Sequence, residues 1–191
     1  MTAEEIIAAI APAVPGASYE ALLSADAAVT PAILVPREQL LATCRALQGP
    51  GLEFVGFVDV TAVDYHLNRQ PRFDLVYHVI SPHRRARLRL QVRLDADQSI
   101  ESLTSLYPGA GWPEREVYDL FGIVFDGHAD LRRLMMPEDW EGHPLRKDYP
   151  VQLRKDAQTY MPLQVTEEEF KANMERDRYQ RGASTAHGKR S

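Results

Sequence analysis

The sequence predicts a mixed α+β domain over residues 1–125, followed by a segment that folds poorly on its own. The clearest support is Ala86 to Leu94, where Ala86, Leu88, Leu90, Val92 and Leu94 alternate with Arg87, Arg89, Gln91 and Arg93. A period of two marks a half-buried strand. Helical spacing appears before it, at Ile6, Ile7 and Ile10 and again at Leu40, Leu41, Cys44 and Leu47. Beyond Asp126-Gly127 no period of 2 or 3.6 runs through the chain, and Pro137 to Pro144 is rich in turn formers and acids.

The elements follow in order. Thr2 can cap a first helix, with Glu4 and Glu5 in its opening turn. Ala32 to Val35 is a short strand. Pro36 opens a second helix that Gly49-Pro50 closes. Cys44 lies on its apolar stripe, which suits a buried, inert thiol better than a nucleophile. Phe54 to Val63 and Phe73 to Ile80 read as strands joined by the polar loop His66 to Arg72. The guanidinium face of Ala86–Leu94 suits a solvated sheet face, and a docking face for an acidic partner is a further reading. Nucleic acid is disfavoured because no aromatic residues interleave the arginines. Ser99 is placed to cap a short helix through Leu106, broken by Tyr107-Pro108-Gly109.

A third helix starts near Pro113, whose missing N–H costs nothing in a first turn. Glu114 and Glu116 favour the positive end of its dipole. Val117, Leu120 and Phe121 form its apolar stripe, and Gly122 is placed to end it in a left-handed conformation. The other face carries Glu114, Arg115, Tyr118 and Asp119, with Arg115 and Asp119 at i, i+4 spacing. Residues 126–181 read as an extended arm. Within it Thr166 and Glu169 form a capping box for a short helix to about Arg178, while 182–191 is small, polar and suited to disorder.

Composition narrows the function. Apolar residues make up 45% and charged residues 26%, the balance of an ordinary globular protein. The net charge of −5 points to neither nucleic acid nor anionic lipid. One cysteine cannot hold an iron–sulfur cluster, which takes about four thiolates. No apolar run approaches the ~20 residues of a membrane span. The acidic start MTAEEIIAAIAP lacks the basic region of a signal peptide, so a bacterial-type cytosolic chain is expected. Gly109-Ala110-Gly111 fails the dinucleotide fingerprint at its third glycine, and no phosphate loop or hydrolase elbow is present. The six histidines show no zinc-ligand spacing.

Trp112 to Pro150 carries a long ordered pattern: Glu114-Arg115-Glu116, Asp119-Leu120-Phe121-Gly122, Phe125, Gly127-His128, Asp130-Leu131-Arg132-Arg133-Leu134 and Arg146-Lys147-Asp148-Tyr149-Pro150. It resembles the signature of the thirty-kilodalton subunit (the C subunit in bacteria) of proton-pumping NADH:quinone oxidoreductase, respiratory complex I. Ala129 departs from it, since a proline usually follows the histidine there, which loosens one turn. The resemblance implies an α+β fold, a mixed sheet packed with helices, plus an extended C-terminal arm with a short terminal helix that wraps a neighbour.

It also implies a peripheral scaffold subunit on the cytoplasmic face of the membrane, beside the forty-nine-kilodalton (D) subunit and other peripheral-arm subunits. Such a chain binds no cofactor itself. The complex uses NADH, FMN, iron–sulfur clusters and quinone, held by other subunits. Under this reading Glu114, Arg115, Glu116, Asp119, His128, Asp130, Arg132, Arg133, Arg146, Lys147 and Asp148 form the partner interface, with the charged helix face buried against a neighbour. The related subunit of membrane-bound hydrogenase-type complexes shares the signature. An alternative of another class is a free-standing enzyme using Glu114, Glu116, His128 and Asp130 as acid and base. Helical geometry sets Glu114 and Glu116 about 200° apart, against a shared site.

Overall fold

The alternation of β5 sets the register of the whole sheet. In the computed structural model, β5 (Ala86–Leu94) lies between β4 (Phe73–Ser81) and β2 (Ala32–Leu34), with β3 (Gly56–Asp64) and β1 (Glu20–Leu22) outside them. The structure describes residues 1–22 and 30–150, together with Glu168 and Lys171. The chain divides into two units, Met1–Pro150 and Val151–Ser191, and nearly all described residues belong to the first. β3, β4 and β5 form an antiparallel meander, β2 runs parallel to β5, and β1 is antiparallel to β2. The sheet is therefore mixed, as expected.

One face of this sheet is the core. Leu75, Tyr77 and Val79 of β4 and Leu88, Leu90, Val92 and Leu94 of β5 are fully buried. They pack with Ile6 and Ile10 of α1 (Ala3–Ile10), Leu40, Cys44 and Leu47 of α2 (Leu40–Leu47), and Val117 and Phe121 of α3 (Gly111–Phe121). Each buried aliphatic side chain contributes roughly 1.5–3 kcal/mol. The opposite face carries Arg87 and Arg93, both exposed, and half-buried Arg89 and Gln91. Thr2 caps α1 through a reciprocal box with Glu5, its hydroxyl accepting from the Glu5 N–H at 3.2 Å.

One local expectation needs correction, and one strand is added. Ser99 caps no helix: Ile100–Glu101 is β6, paired in parallel with β7 (Phe125–Asp126). The Ser99 hydroxyl donates instead to Asp126, while Ile100 N–H donates to Val124 O and Ser102 N–H to Asp126 O. A pairing with a strand beyond α3 outweighs a short helix with few apolar anchors. The strand β1 is the other difference, since its three residues carry too little periodicity to announce it. Of the expected arm, residues 126–150 are described and lie against their own domain. The expected helix from Thr166 to about Arg178 falls outside the described residues, apart from Glu168 and Lys171, which are helical. The tail 182–191 is also outside them.

Candidate functional site

The signature residues assemble around α3, which runs between β6 and β7. Its apolar stripe, Val117 and Phe121, faces the core, so its polar stripe turns toward the segment that follows. Gly122 ends the helix with φ 73°, the left-handed cap that its sequence position predicts. A side chain there would also collide: a Cβ would fall 2.7 Å from Arg146 Nη2 and closer still to the His143 ring.

Glu114 is completely buried. Its Oε2 accepts from the Ser102 hydroxyl at 2.6 Å and its Oε1 from the Leu103 N–H at 2.8 Å, tying the helix start to the exit of β6. Burial pushes its carboxyl above the ordinary range, and these two bonds offset only part of that cost.

Asp119 is equally buried but better satisfied. Oδ1 accepts from Arg133 Nη1 at 2.7 Å, and Oδ2 accepts from the N–H groups of Leu134, Met135 and Met136 at 3.0, 2.7 and 2.8 Å. Burial alone would raise its pKa. The Met136 N–H, the Arg133 guanidinium and the neighbouring amides outweigh it and hold the carboxyl below its usual value. Arg115 does not pair with Asp119 despite the i, i+4 spacing. Its guanidinium donates to the carbonyls of Arg132 and Arg133 at 3.1 and 3.0 Å and stacks over Trp112 at 5.2 Å.

The helix C-terminus is capped by the same segment. His143 Nδ1 lies 2.9 Å from Asp119 O, Leu145 N–H donates to Leu120 O at 3.0 Å, and Arg146 donates to the carbonyls of Phe121 and Gly122. These are the carbonyls that an α-helix leaves without internal partners, and a cation there is favoured by the dipole. His128 holds the other end, its ring 3.0 Å from Gly111 O while Nδ1 accepts the Asp130 N–H at 3.1 Å. That arrangement fixes the proton on Nε2.

A second anchor was not legible in the sequence. Arg72 donates to both oxygens of the buried Asp64, at 2.9 and 2.7 Å, and to both oxygens of Asp148, at 3.0 and 2.9 Å. The Lys147 N–H adds a bond to Asp64 at 2.8 Å. Burial would raise the Asp64 pKa, but Arg72 and the Lys147 and His66 amides hold it far below the ordinary range.

The expected interface residues therefore divide. Glu114, Arg115 and Asp119 are buried, and Arg133, Arg146 and His128 half-buried, with partners inside the same chain. The burial expected against a neighbour is supplied for Glu114 and Asp119 by residues 102–103 and 133–136 of this chain. Glu116, Asp130, Arg132, Lys147 and Asp148 remain exposed. So do Trp112, 67% accessible, and Met135, 65% accessible. The acid/base set is not brought together: Glu114 is sealed inside while Glu116 faces solvent. Among the described residues no group of three or more His, Cys, Asp or Glu is placed to hold a metal.

Comparison with known proteins matches residues 33–155 to the model of the respiratory-chain NADH dehydrogenase 30 Kd subunit family. The chain belongs to this family. It is similar to the NADH-quinone oxidoreductase C subunit of Methylobacterium radiotolerans, 40% identical over 85% of this chain and 80% of that protein. It is also similar to that of Roseiflexus sp., 47% identical over 67% and 74%. The match to the corresponding protein of Mesorhizobium japonicum spans 61% of either chain at 44% identity. Among solved structures, a trypsin-resistant fragment of Nqo5 superposes with a TM-score of 0.55 at 28% identity, covering 69% of this chain and all of the fragment. A chain of the membrane-bound sulfane sulfur reductase, an archaeal respiratory membrane complex, superposes with a TM-score of 0.63 at 25% identity, covering 78% and 85%. In this family member the signature is thus in large part internal: it builds the helix and the segment docked on it.

Proposed function

We propose that this respiratory-chain subunit is a cofactor-free scaffold in the peripheral part of NADH:quinone oxidoreductase, packed beside the forty-nine-kilodalton (D) subunit on the cytoplasmic side of the membrane. In this reading other subunits hold the FMN and iron–sulfur centres that carry electrons from NADH to quinone, coupled to proton translocation. The observation that carries it is the platform of residues 112–150. Its buried Asp119 fixes residues 133–136 of a long irregular segment, and Trp112, Met135, Glu116, Arg132 and Lys147 stay exposed and available to a neighbour. Exposed tryptophan and methionine beside arginine are the residue types that anchor interfaces. The partner-binding arm expected over residues 126–181 is part of this proposal, and beyond Pro150 it lies outside the described residues apart from Glu168 and Lys171.

Co-purification tests this. Tagged chain drawn from native membranes should bring the other oxidoreductase subunits in equal amounts, with NADH:quinone activity in the assembly and none in the isolated chain. Recovery of the chain alone, or stoichiometric iron or flavin on it, would refute the scaffold role. The superposition on the sulfane sulfur reductase chain favours a second reading, a subunit of a related membrane-bound complex such as a hydrogenase-type assembly. The identity of the co-purified subunits separates the two.

A further inference from the structure

The arginines of β5 have no part in the platform. Arg87, Arg89 and Arg93 point away from the core, and the β4–β5 hairpin adds Arg84 and Arg85. Arg84, Arg85, Arg87 and Arg93 are exposed. Among the described residues, none of the four has a carboxylate within ion-pair distance. The nearest acid in register is already engaged: Asp74, opposite Arg93, is buried and bound to Arg69 and Gln91. Arg89 donates to His78 Nε2 at 3.3 Å, a neutral acceptor. At the hairpin, a cavity of about 590 Å³ is lined by Arg84, Arg85 and Arg87 against the single acid Glu53. These cations follow one strand and the hairpin that leads into it, in a chain whose net charge is −5.

We propose that β5 and its hairpin are a docking surface for an acidic, extended segment of a partner protein. Alternate residues of a strand repeat every ~6.6–6.8 Å. An extended segment with acids at alternate positions carries its carboxylates at that same repeat, one facing Arg87 and the next facing Arg89. Each guanidinium fork takes a carboxylate through two parallel hydrogen bonds, and the cavity receives the end of the segment among Arg84, Arg85 and Arg87. A nucleic acid fits this face less well, since no aromatic ring lies between the arginines for a base to stack on. The surface uses none of the platform residues and stands independently of the platform's function.

His78 reports on the surface. Half-burial first, and then Arg89 and Arg87, hold its imidazole below the ordinary value, with Asp59 on the neighbouring strand pulling the other way. Carboxylates seated on Arg87 and Arg89 neutralise that field and raise the His78 pKa.

The test uses the full chain and an octaglutamate peptide, followed by NMR. Binding should raise the His78 pKa, and the variant Arg87→Glu/Arg93→Glu should weaken it by about ten-fold or more, from the loss of two attractions and the gain of two repulsions. Both positions are exposed, so the variant keeps its fold, checked by circular dichroism. The control Arg132→Glu/Lys147→Glu should bind as the native chain does. Three outcomes overturn the proposal: no peptide binding, equal weakening in both variants, or equal or tighter binding of an oligonucleotide of the same charge or of phosphatidylserine vesicles.

Discussion

Arg133 meets Asp119 at 2.7 Å, and the same carboxylate gathers three successive backbone N–H groups from Leu134 to Met136. One buried side chain thus organises a stretch that has no helix or strand to order it. Asp119→Ala removes the carboxylate partner of Arg133, which keeps its bond to Gly142 O, and leaves three amides without their acceptor. Breaking a buried pair of this kind costs about 3–5 kcal/mol. Urea unfolding should show that loss, with faster proteolysis across residues 130–148. An unchanged midpoint would mean that the segment is held by its other contacts.

Arg72 binds Asp64 through Nε and Nη2 and Asp148 through Nη1 and Nη2, two adjacent edges of one guanidinium that share Nη2. Arg72→Lys keeps the charge and loses the fork. It should lower stability by about 1.5–3 kcal/mol, the range of a hydrogen bond to a charged group. Thermal unfolding of the two chains side by side measures it; equal midpoints would show that a point charge suffices.

The pH dependence follows from Asp64 and Asp119. Both have folded pKa values below the ordinary 3.8, so their contribution is complete above that value and is lost as pH falls from it through the folded values. Glu114 acts in the opposite sense. Its folded pKa lies above 4.5, so its charge opposes folding above the folded value, and acidification toward 4.5 relieves that cost. The stability difference between native chain and Glu114→Gln should therefore change between neutral pH and 4.5, in favour of the native chain as pH falls. A constant difference would show that Glu114 titrates as it does in the unfolded chain.

Trp112 and Met135 are exposed in the chain alone. Trp112→Ala should shift the stability of the isolated chain by less than about 0.5–1 kcal/mol, the value of a surface change plus one exposed cation–π contact. If the platform faces a partner, the same change should cost at least about 2 kcal/mol of association. Quantified complex in membranes would then fall. Normal assembly of the double variant Trp112→Ala/Met135→Ala would remove both residues from any interface.

Cys44 is fully buried, and burial pushes its thiol pKa up to about 12. A thiol-specific reagent should label it at mildly alkaline pH only after unfolding. Labelling of the native chain at the rate of free cysteine would contradict its place in the core.

Much of the fold is legible where periodicity is strong. β5 begins and ends where its alternation does, and α3 ends at Gly122 because only a glycine fits there. The Ser99 region misleads because its partner strand lies beyond α3, and a two-residue pair has no period. The site is half legible. The signature marks residues that assemble around α3, but burial of Glu114 and Asp119 is expected there against another chain. Their partners are largely backbone N–H groups at Leu103 and Leu134 to Met136, and a backbone donor has no letter in the sequence. The Arg72 bridge is invisible for a different reason: 76 residues separate it from Asp148.

β6 and β7 are parallel neighbours, and α3 is the crossover between them. Closing that pair sets both ends of the helix, and only a finished helix offers its last carbonyls and the Asp119 carboxylate to residues 133–146. The outer surface made by those residues is consequently absent from a partly folded chain. A partner docking there, as the proposed function has it, would meet only a chain whose fold is complete.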